Sequence, residues 1–169
     1  MPTDLAAPTT SRLSSRPPTD DDAPLLRSLF EDSRADLDLL PSGVREQLVD
    51  LQLQAQRRQQ EADHPGCRRE ILLYDGAPVG LLVTDRDAAT VHVLDIAIAA
   101  THRGRGLGTA VLHELHLANV AVALQVWADN AGARRLYERL GFTYDDRTQP
   151  PPNTGHLRMR WRPRPDQEG

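Results

Sequence analysis

Thr101-His102-Arg103-Gly104-Arg105-Gly106-Leu107-Gly108-Thr109 is the stretch on which the reading of this chain turns. It follows a nearly continuous apolar run (Val91, Val93, Leu94, Ile96, Ala97, Ile98), the pattern of a strand buried on both faces. After it comes an amphipathic segment, Gly106 to Asn119, with Leu107, Val111, Leu115 and Ala118 on one stripe. Three glycines at alternate positions let the backbone adopt φ > 0 and approach a ligand closely. Amides at the start of a helix have no intrahelical partner, the helix dipole favours an anion there, and successive amides form a nest for phosphate oxygens. Arg103 and Arg105 add positive charge at the rim. The loop therefore has the physics of a phosphate or pyrophosphate site, with a plain strand-to-helix turn as the alternative. A Walker A loop is excluded because the chain has no Lys. The dinucleotide fingerprint is not met either, because the spacing is G-x-G-x-G and it falls late in the chain.

Working outward, Arg69 to Tyr74 and Pro78 to Thr84 read as strands joined by a turn at Asp75-Gly76. Thr90 to Ala99 is the buried strand that leads into the loop. Further upstream, Thr19 and Asp20 to Asp22 supply cap chemistry for a helix through about Ser33, and a short strand is expected near Leu13. Pro41-Ser42-Gly43 breaks the pattern before a second helix with Val44, Leu48, Leu51 and Ala55 as its expected apolar stripe, ended by His64-Pro65-Gly66. Downstream lie a strand at Ala121 to Trp127 and a helix at Ala131 to Leu140 closed by Gly141. Two last strands, Phe142 to Asp146 and His156 to Trp161, flank a loop with Pro150, Pro151 and Pro152. This order gives an α/β, mixed α+β domain. Residues 1–12 are expected to be a disordered tail, 13–162 a single domain and 163–169 a flexible C-terminal tail.

The 169 residues suit one domain, and 39% hydrophobic with 26% charged residues places them in the globular class. The net charge of -4 argues against a general nucleic-acid binder. The lone Cys67 forms no internal disulfide, and no Cys/His cluster has zinc spacing, so no metal is expected. No apolar run approaches the ~20 residues that span a bilayer, and Met1 to Arg16 has no secretory h-region, so no membrane contact and a cytoplasmic location are expected.

With these features in place, the sequence resembles the GNAT (GCN5-related) N-acetyltransferase superfamily. The family's cofactor motif, Q/R-x-x-G-x-G/A between its fourth strand and the following helix, is filled by Arg103, Gly106 and Gly108. Its second motif is matched by Val126-Trp127-Ala128-Asp129-Asn130 leading into Ala133 to Phe142. The resemblance covers about residues 69 to 147; the N-terminal helices match only in kind and placement. It implies a splayed, mixed central sheet flanked by helices, the acyl-CoA N-acyltransferase fold. It further implies acetyl-CoA as acyl-donor cosubstrate, with its pantetheine arm on the backbone of Ile96, Ala97 and Ile98. Its pyrophosphate would lie on the amides of Arg103, Gly104, Arg105, Gly106, Leu107 and Gly108, with Thr109 nearby. Asn130 and Tyr137 match positions that contact the cofactor and protonate the departing thiolate. The implied reaction is direct attack of a primary amine through a tetrahedral intermediate.

Seven residues is about two helical turns, so Asn130 and Tyr137 share a face roughly 10 Å apart along the axis. A phenol there can donate a proton to sulfur, or it can simply pack with Ala133, Leu136 and Leu140. For the general base, the position where some family members carry a carboxylate, eleven residues before the first motif residue, is His92. Asp95, a charge inside an apolar run, is the rival, and strict alternation puts it on the opposite face from His92. Each also has a purely structural reading, and a water chain can replace both. Glu31, Asp32, Asp36 and Asp38 form an acidic stretch that suits a cationic amine or is only a solvated helix face. His113 and His116 are too isolated to argue for a metal. The acceptor amine is unidentified, small molecule or protein, and a homodimer is left open. A non-catalytic acyl-CoA binding domain is the main rival function.

Overall fold

The computed structural model describes residues 12–34, 37, 39–145 and 155–164. The expected tails fall outside them except for Arg12, Pro163 and Arg164, as do Asp36, Asp38, Asp146 and the triple-proline loop. The element order is β1 (Leu13–Arg16), a 3-10 turn (Asp20–Asp22), α1 (Ala23–Asp32), α2 (Ser42–Asp63), β2 (Arg68–Tyr74), β3 (Ala77–Arg86) and β4 (Thr90–Ile98). It continues through a second 3-10 turn (Ala100–His102), α3 (Leu107–His116), β5 (Ala121–Trp127), α4 (Ala131–Arg139), β6 (Thr143–Tyr144) and β7 (His156–Trp161).

The strands form a seven-stranded sheet in the order β1-β2-β3-β4-β5-β7-β6, antiparallel except for the parallel β4–β5 pair. This is the mixed, helix-flanked sheet that the sequence implied. The Asp75-Gly76 turn has both residues at positive φ (50° and 81°), as a two-residue hairpin between twisted strands requires. α3 and α4 pack on one face, over Val91, Val93, Val122, Leu124 and Met159. α1 packs on the other, over Ile71, Leu81 and Val83. Among the described residues no helix is long and apolar enough to cross a membrane.

Two features of this sheet make the site. The β4–β5 ladder runs only from Thr90↔Ala121 to Val93↔Leu124, so the rest of both strands diverges. At that same point β4 carries a bulge: Thr84 of β3 faces Val93 and Val83 faces Asp95, leaving Leu94 as an extra residue. A bulge bends its strand and increases the local twist, and this one turns β4 away from β5 where their pairing ends.

The bulge also overturns the alternation read from sequence. Residues directly opposite in a ladder share a face. Asp95 faces Val83 and His92 faces Asp85, positions two apart on β3, so His92 and Asp95 lie on the same face after all. The stripe expected on α2 is corrected too. Val49 is fully buried, whereas Val44 and Leu51 are more than half exposed and Ala55 is exposed as well. α2 rests on α1, and the forked bond from Arg27 to Asp50 (2.8–3.0 Å) fixes its rotation so that Val49 points inward.

Candidate active site

The splay opens a cleft of about 1390 Å³ between the diverging strands and under α1 and α2. Its floor includes His92, Asp95 and Ile96 from β4, and Gln125 and Trp127 from β5. Tyr137 of α4 stands at its wall.

Backbone direction decides what β4 offers to this opening. A Cβ built on Gly80 would collide with the carbonyl oxygen of Ala97, so that carbonyl turns toward β3. Ala99 also donates to Val79, on β3 (2.8 Å). By alternation the N–H and C=O groups of Ile96 and Ile98 turn into the opening. Ala97, expected to offer its backbone to the pantetheine arm, is therefore turned away from it. The Ile98 carbonyl already accepts from Arg103 Nε (2.9 Å). The Ile96 carbonyl remains available, whereas its N–H is directed at the Asp95 carboxylate.

The glycine loop continues this edge. Gly104 and Gly106 adopt φ of +73° and +76°, and a Cβ at either would meet no protein atom, so both are needed for their backbone angles and not for space. Gly106 is the N-cap of α3, and its carbonyl accepts from Ala110 (2.9 Å). The amides of Leu107, Gly108 and Thr109 precede the first intrahelical bond and are free to meet an anion. Leu107 anchors the turn by burying its side chain. The Arg103 amide is instead directed at Ala100 (3.4 Å), and its guanidinium at Ile98 and Asp32 (3.1 Å). Arg103 thus ties the loop to α1, whereas Arg105 is exposed. The donors present fit a pyrophosphate.

Tyr137 is held by the way α4 ends. Gly141 at φ +85° lets its N–H bond to Glu138 and that of Phe142 bond to Tyr137 (both 3.0 Å), a Schellman closure. The aromatic contact that accompanies it, Phe142 on Tyr137 with centroids 5.7 Å apart, fixes the ring. At the other end, Asn130 caps α4 by accepting from Ala133 N–H (3.0 Å). The Tyr137 side chain is buried, yet among the described residues its hydroxyl bonds to nothing and is not among the sealed polar atoms. The hydroxyl is thus available to the cleft. Burial, then the charge of Asp95, hold the phenol above its usual value of 10.0, so it stays protonated near neutrality.

Asp95 is pushed up from the usual 3.8 by burial, opposed by the charge of Arg69. The structure thus brings Asp95 and Tyr137 into electrostatic contact across the splay. His92 is not brought to Tyr137: it sits on the paired part of β4, opposite Ala123, and its Nε2 meets Asp87 Oδ2 of the adjacent turn (2.8 Å). That contact holds Asp87 at about 2. Glu31 and Asp32 do not line the cleft, and Asp32 is taken by Arg103. Its charged walls carry more Arg than acid, with Arg158 and Arg160 of β7 among them. Sequence reasoning missed those two, although the alternation His156-Leu157-Arg158-Met159-Arg160-Trp161 places them on one face.

A sheet opened at its central parallel pair, with helix-start amides at the mouth and a buried phenol on the wall, is the architecture of an acetyltransferase of the GNAT class. The chain belongs to the acetyltransferase (GNAT) family, whose sequence profile matches residues 27–142. It is 36% identical over 74 residues to an uncharacterized N-acetyltransferase of Methanocaldococcus jannaschii. That stretch is 40% of this chain and 47% of the archaeal protein, so the chain spans about half the length of that relative. Among solved structures, an acetyltransferase from Thermus thermophilus aligns with TM-score 0.62 at 25% identity, covering 88% of this chain and 96% of that one. The PaiA N-acetyltransferase from Thermoplasma acidophilum, solved in complex with coenzyme A, also aligns with TM-score 0.62, covering 89% and 98%. At 13% identity the second likeness is one of fold.

Proposed function

We propose that the protein transfers the acetyl group of acetyl-CoA, a substrate here, to a primary amine by direct attack, with Tyr137 as the general acid and Asp95 as the base. The observation that carries this reading is the pairing of a protonated phenol and a half-buried carboxylate at one opening of the sheet. Burial raises both groups, and because a phenol and a carboxyl start far apart on the pH scale, one can hold a proton while the other accepts one. The amides of Leu107, Gly108 and Thr109 would hold the pyrophosphate, and the Ile96 carbonyl would accept from the pantetheine arm. Asp95, directly or through one water, accepts the proton that the amine loses as its nitrogen bonds to the thioester carbon. Tyr137 gives its proton to sulfur as the C–S bond breaks, and it is restored from solvent. Coenzyme A bound to the Thermoplasma protein of the same fold supports the cofactor assignment.

Calorimetric titration with acetyl-CoA, with NADH as control, tests the reading. Saturable binding of acetyl-CoA alone is expected, followed by thiol release when an acceptor amine is added. Binding with no release for any amine would favour a non-catalytic acyl-CoA sensor, and no binding would remove the cofactor assignment.

A further inference from the structure

The side of the cleft away from β4 carries charge that acetyl transfer itself does not use. On β7 the side chains of Leu157, Met159 and Trp161 face the core with α3 and α4. His156, Arg158 and Arg160 point to the opposite face, across from Trp127, Gln125 and Ala123 of β5. His92 lies opposite Ala123 in turn, so His92, Ala123 and Arg160 form one row across three strands, on the face that also carries Asp95. All of these residues of that face line the cleft.

The other arginines of the cleft are engaged. Arg57 bonds to Glu61 (2.8 Å), Arg69 to Gln60 (2.6 Å) and Arg34 to Gln52 (3.0 Å). Arg158 and Arg160 have no side-chain partner among the described residues, and the Arg160 Nε is buried without an acceptor. Asp145, which also lines the cleft, meets Arg158 only through their backbones (3.0 Å). A buried guanidinium N–H with nothing to donate to is costly unless a ligand supplies the acceptor. The planar fork of an Arg is matched to a carboxylate. Beside the pair, the Trp127 and His156 rings lie against each other at a tilt of 33° with centroids 3.6 Å apart, and the indole offers apolar surface for the atoms between the amine and that anion.

We propose that Arg158 and Arg160 form a carboxylate-binding site, and that the acceptor is an amine bearing a carboxylate several bonds away. This rests on the acetyl-transfer reading above. Two strand spacings, about 10 Å, separate β4 from β7 where the strands are paired; the splay at Asp95 widens this, an Arg side chain reaches back over part of it, and the amine and the anion would stand on the order of 5–10 Å apart. A free ω-amino acid meets this description. So does a peptide N-terminus followed closely by an acidic side chain.

The test uses the full chain, acetyl-CoA and thiol release with three amines of one length: 6-aminohexanoate, hexylamine and 1,6-diaminohexane. A tripeptide amide with Glu second is compared with the same peptide carrying Gln there. A kcat/KM at least tenfold higher for the carboxylate member of either series is expected, and the better series identifies the source. In Arg160→Gln and Arg158→Gln that ratio should fall at least fivefold, chiefly through KM, with partial return in Arg160→Lys. A merely structural role would lower all acceptors alike and leave the ratio intact. Calorimetry of 6-aminohexanoate and hexylamine on the CoA-loaded protein gives a second readout that needs no turnover. Equal use or equal binding of carboxylate and neutral amines overturns the inference while acetyl transfer stands. If acetyl-CoA itself fails to bind, the underlying reading and this one fall together.

Discussion

Replacing Tyr137 by Phe removes one oxygen from a ring whose position is set by other atoms. The Schellman closure at Gly141 and the contact with Phe142 hold the ring without the hydroxyl. The hydroxyl has no hydrogen-bond partner among the described residues, so its loss breaks no bond. Stability from the denaturant midpoint should therefore change by no more than about 0.5 kcal/mol. Acetyl-CoA affinity should stay within about twofold, since the amides and Ile96 are untouched. The rate should behave differently. A positioned acid is worth about 10²–10⁴ in rate, so kcat should fall at least about 10²-fold, equivalent to about 2.7 kcal/mol of barrier. Thiol release at saturating acetyl-CoA, with calorimetry for affinity and urea unfolding for stability, separates the three quantities. A kcat within twofold of the original would refute the reasoning and return Tyr137 to a packing role.

The remaining predictions follow from single contacts. Asp95 has its folded value raised above the usual 3.8, so the fold favours the protonated form, and the stability this gives is lost as pH climbs from about 4 through the raised value. Asp95→Asn should thus be more stable than the original at pH 7 while losing the acid limb of the pH–rate profile; urea midpoints at pH 5 and 8 and a rate profile check both. Asp22 has the opposite sign: the forked bond from Arg16 (2.7 and 2.8 Å) and the Thr19 amide hold it well below the usual range, so its stability is present above pH 4 and lost on acidification. Asp22→Asn should cost about 1–3 kcal/mol at pH 7, and the difference should vanish as the acid transition is approached. Gly80→Ala forces a Cβ against the Ala97 carbonyl, a backbone atom that cannot rotate away, so about 1–3 kcal/mol of stability should be lost, with weaker acetyl-CoA binding as β4 shifts. An unchanged thermal midpoint would show that β3 and β4 are not so closely apposed.

Much of the fold was readable because its signals are local. The Asp-Gly hairpin, the alternate glycines before α3 and the Gly141 terminator each act through a few φ angles that few residues can adopt, and each sits where it was expected. The placement of Asn130 at the start of α4 and of Tyr137 two turns on was readable because the motif around them is contiguous. What escaped depends on residues far apart in sequence. No residue near Leu94 marks a bulge, because the extra residue is defined only by the register against Thr84 and Val83. The alternation along β4 was for that reason followed one residue too far. The rotation of α2 is set by Arg27 reaching Asp50 on another helix, which a stripe of apolar positions does not encode. The acidic stretch near α1 invited a cationic acceptor, but Asp32 is satisfied by Arg103, seventy-one positions away.

The extra residue in β4 has a wider meaning for what this sheet gives up. A strand without Leu94 would keep Asp95 opposite Val83 but lose its bend, and could go on zipping to β5 past Leu124. Such a shortened chain would make more interstrand bonds, exchange its amide hydrogens more slowly and have no cleft. The native chain leaves part of its central ladder unmade, and on the proposed reading a small molecule with peptide groups of its own would complete it from outside. Such binding would resemble the late addition of a strand, and the two halves of the sheet would gain a joint that the polypeptide alone does not provide.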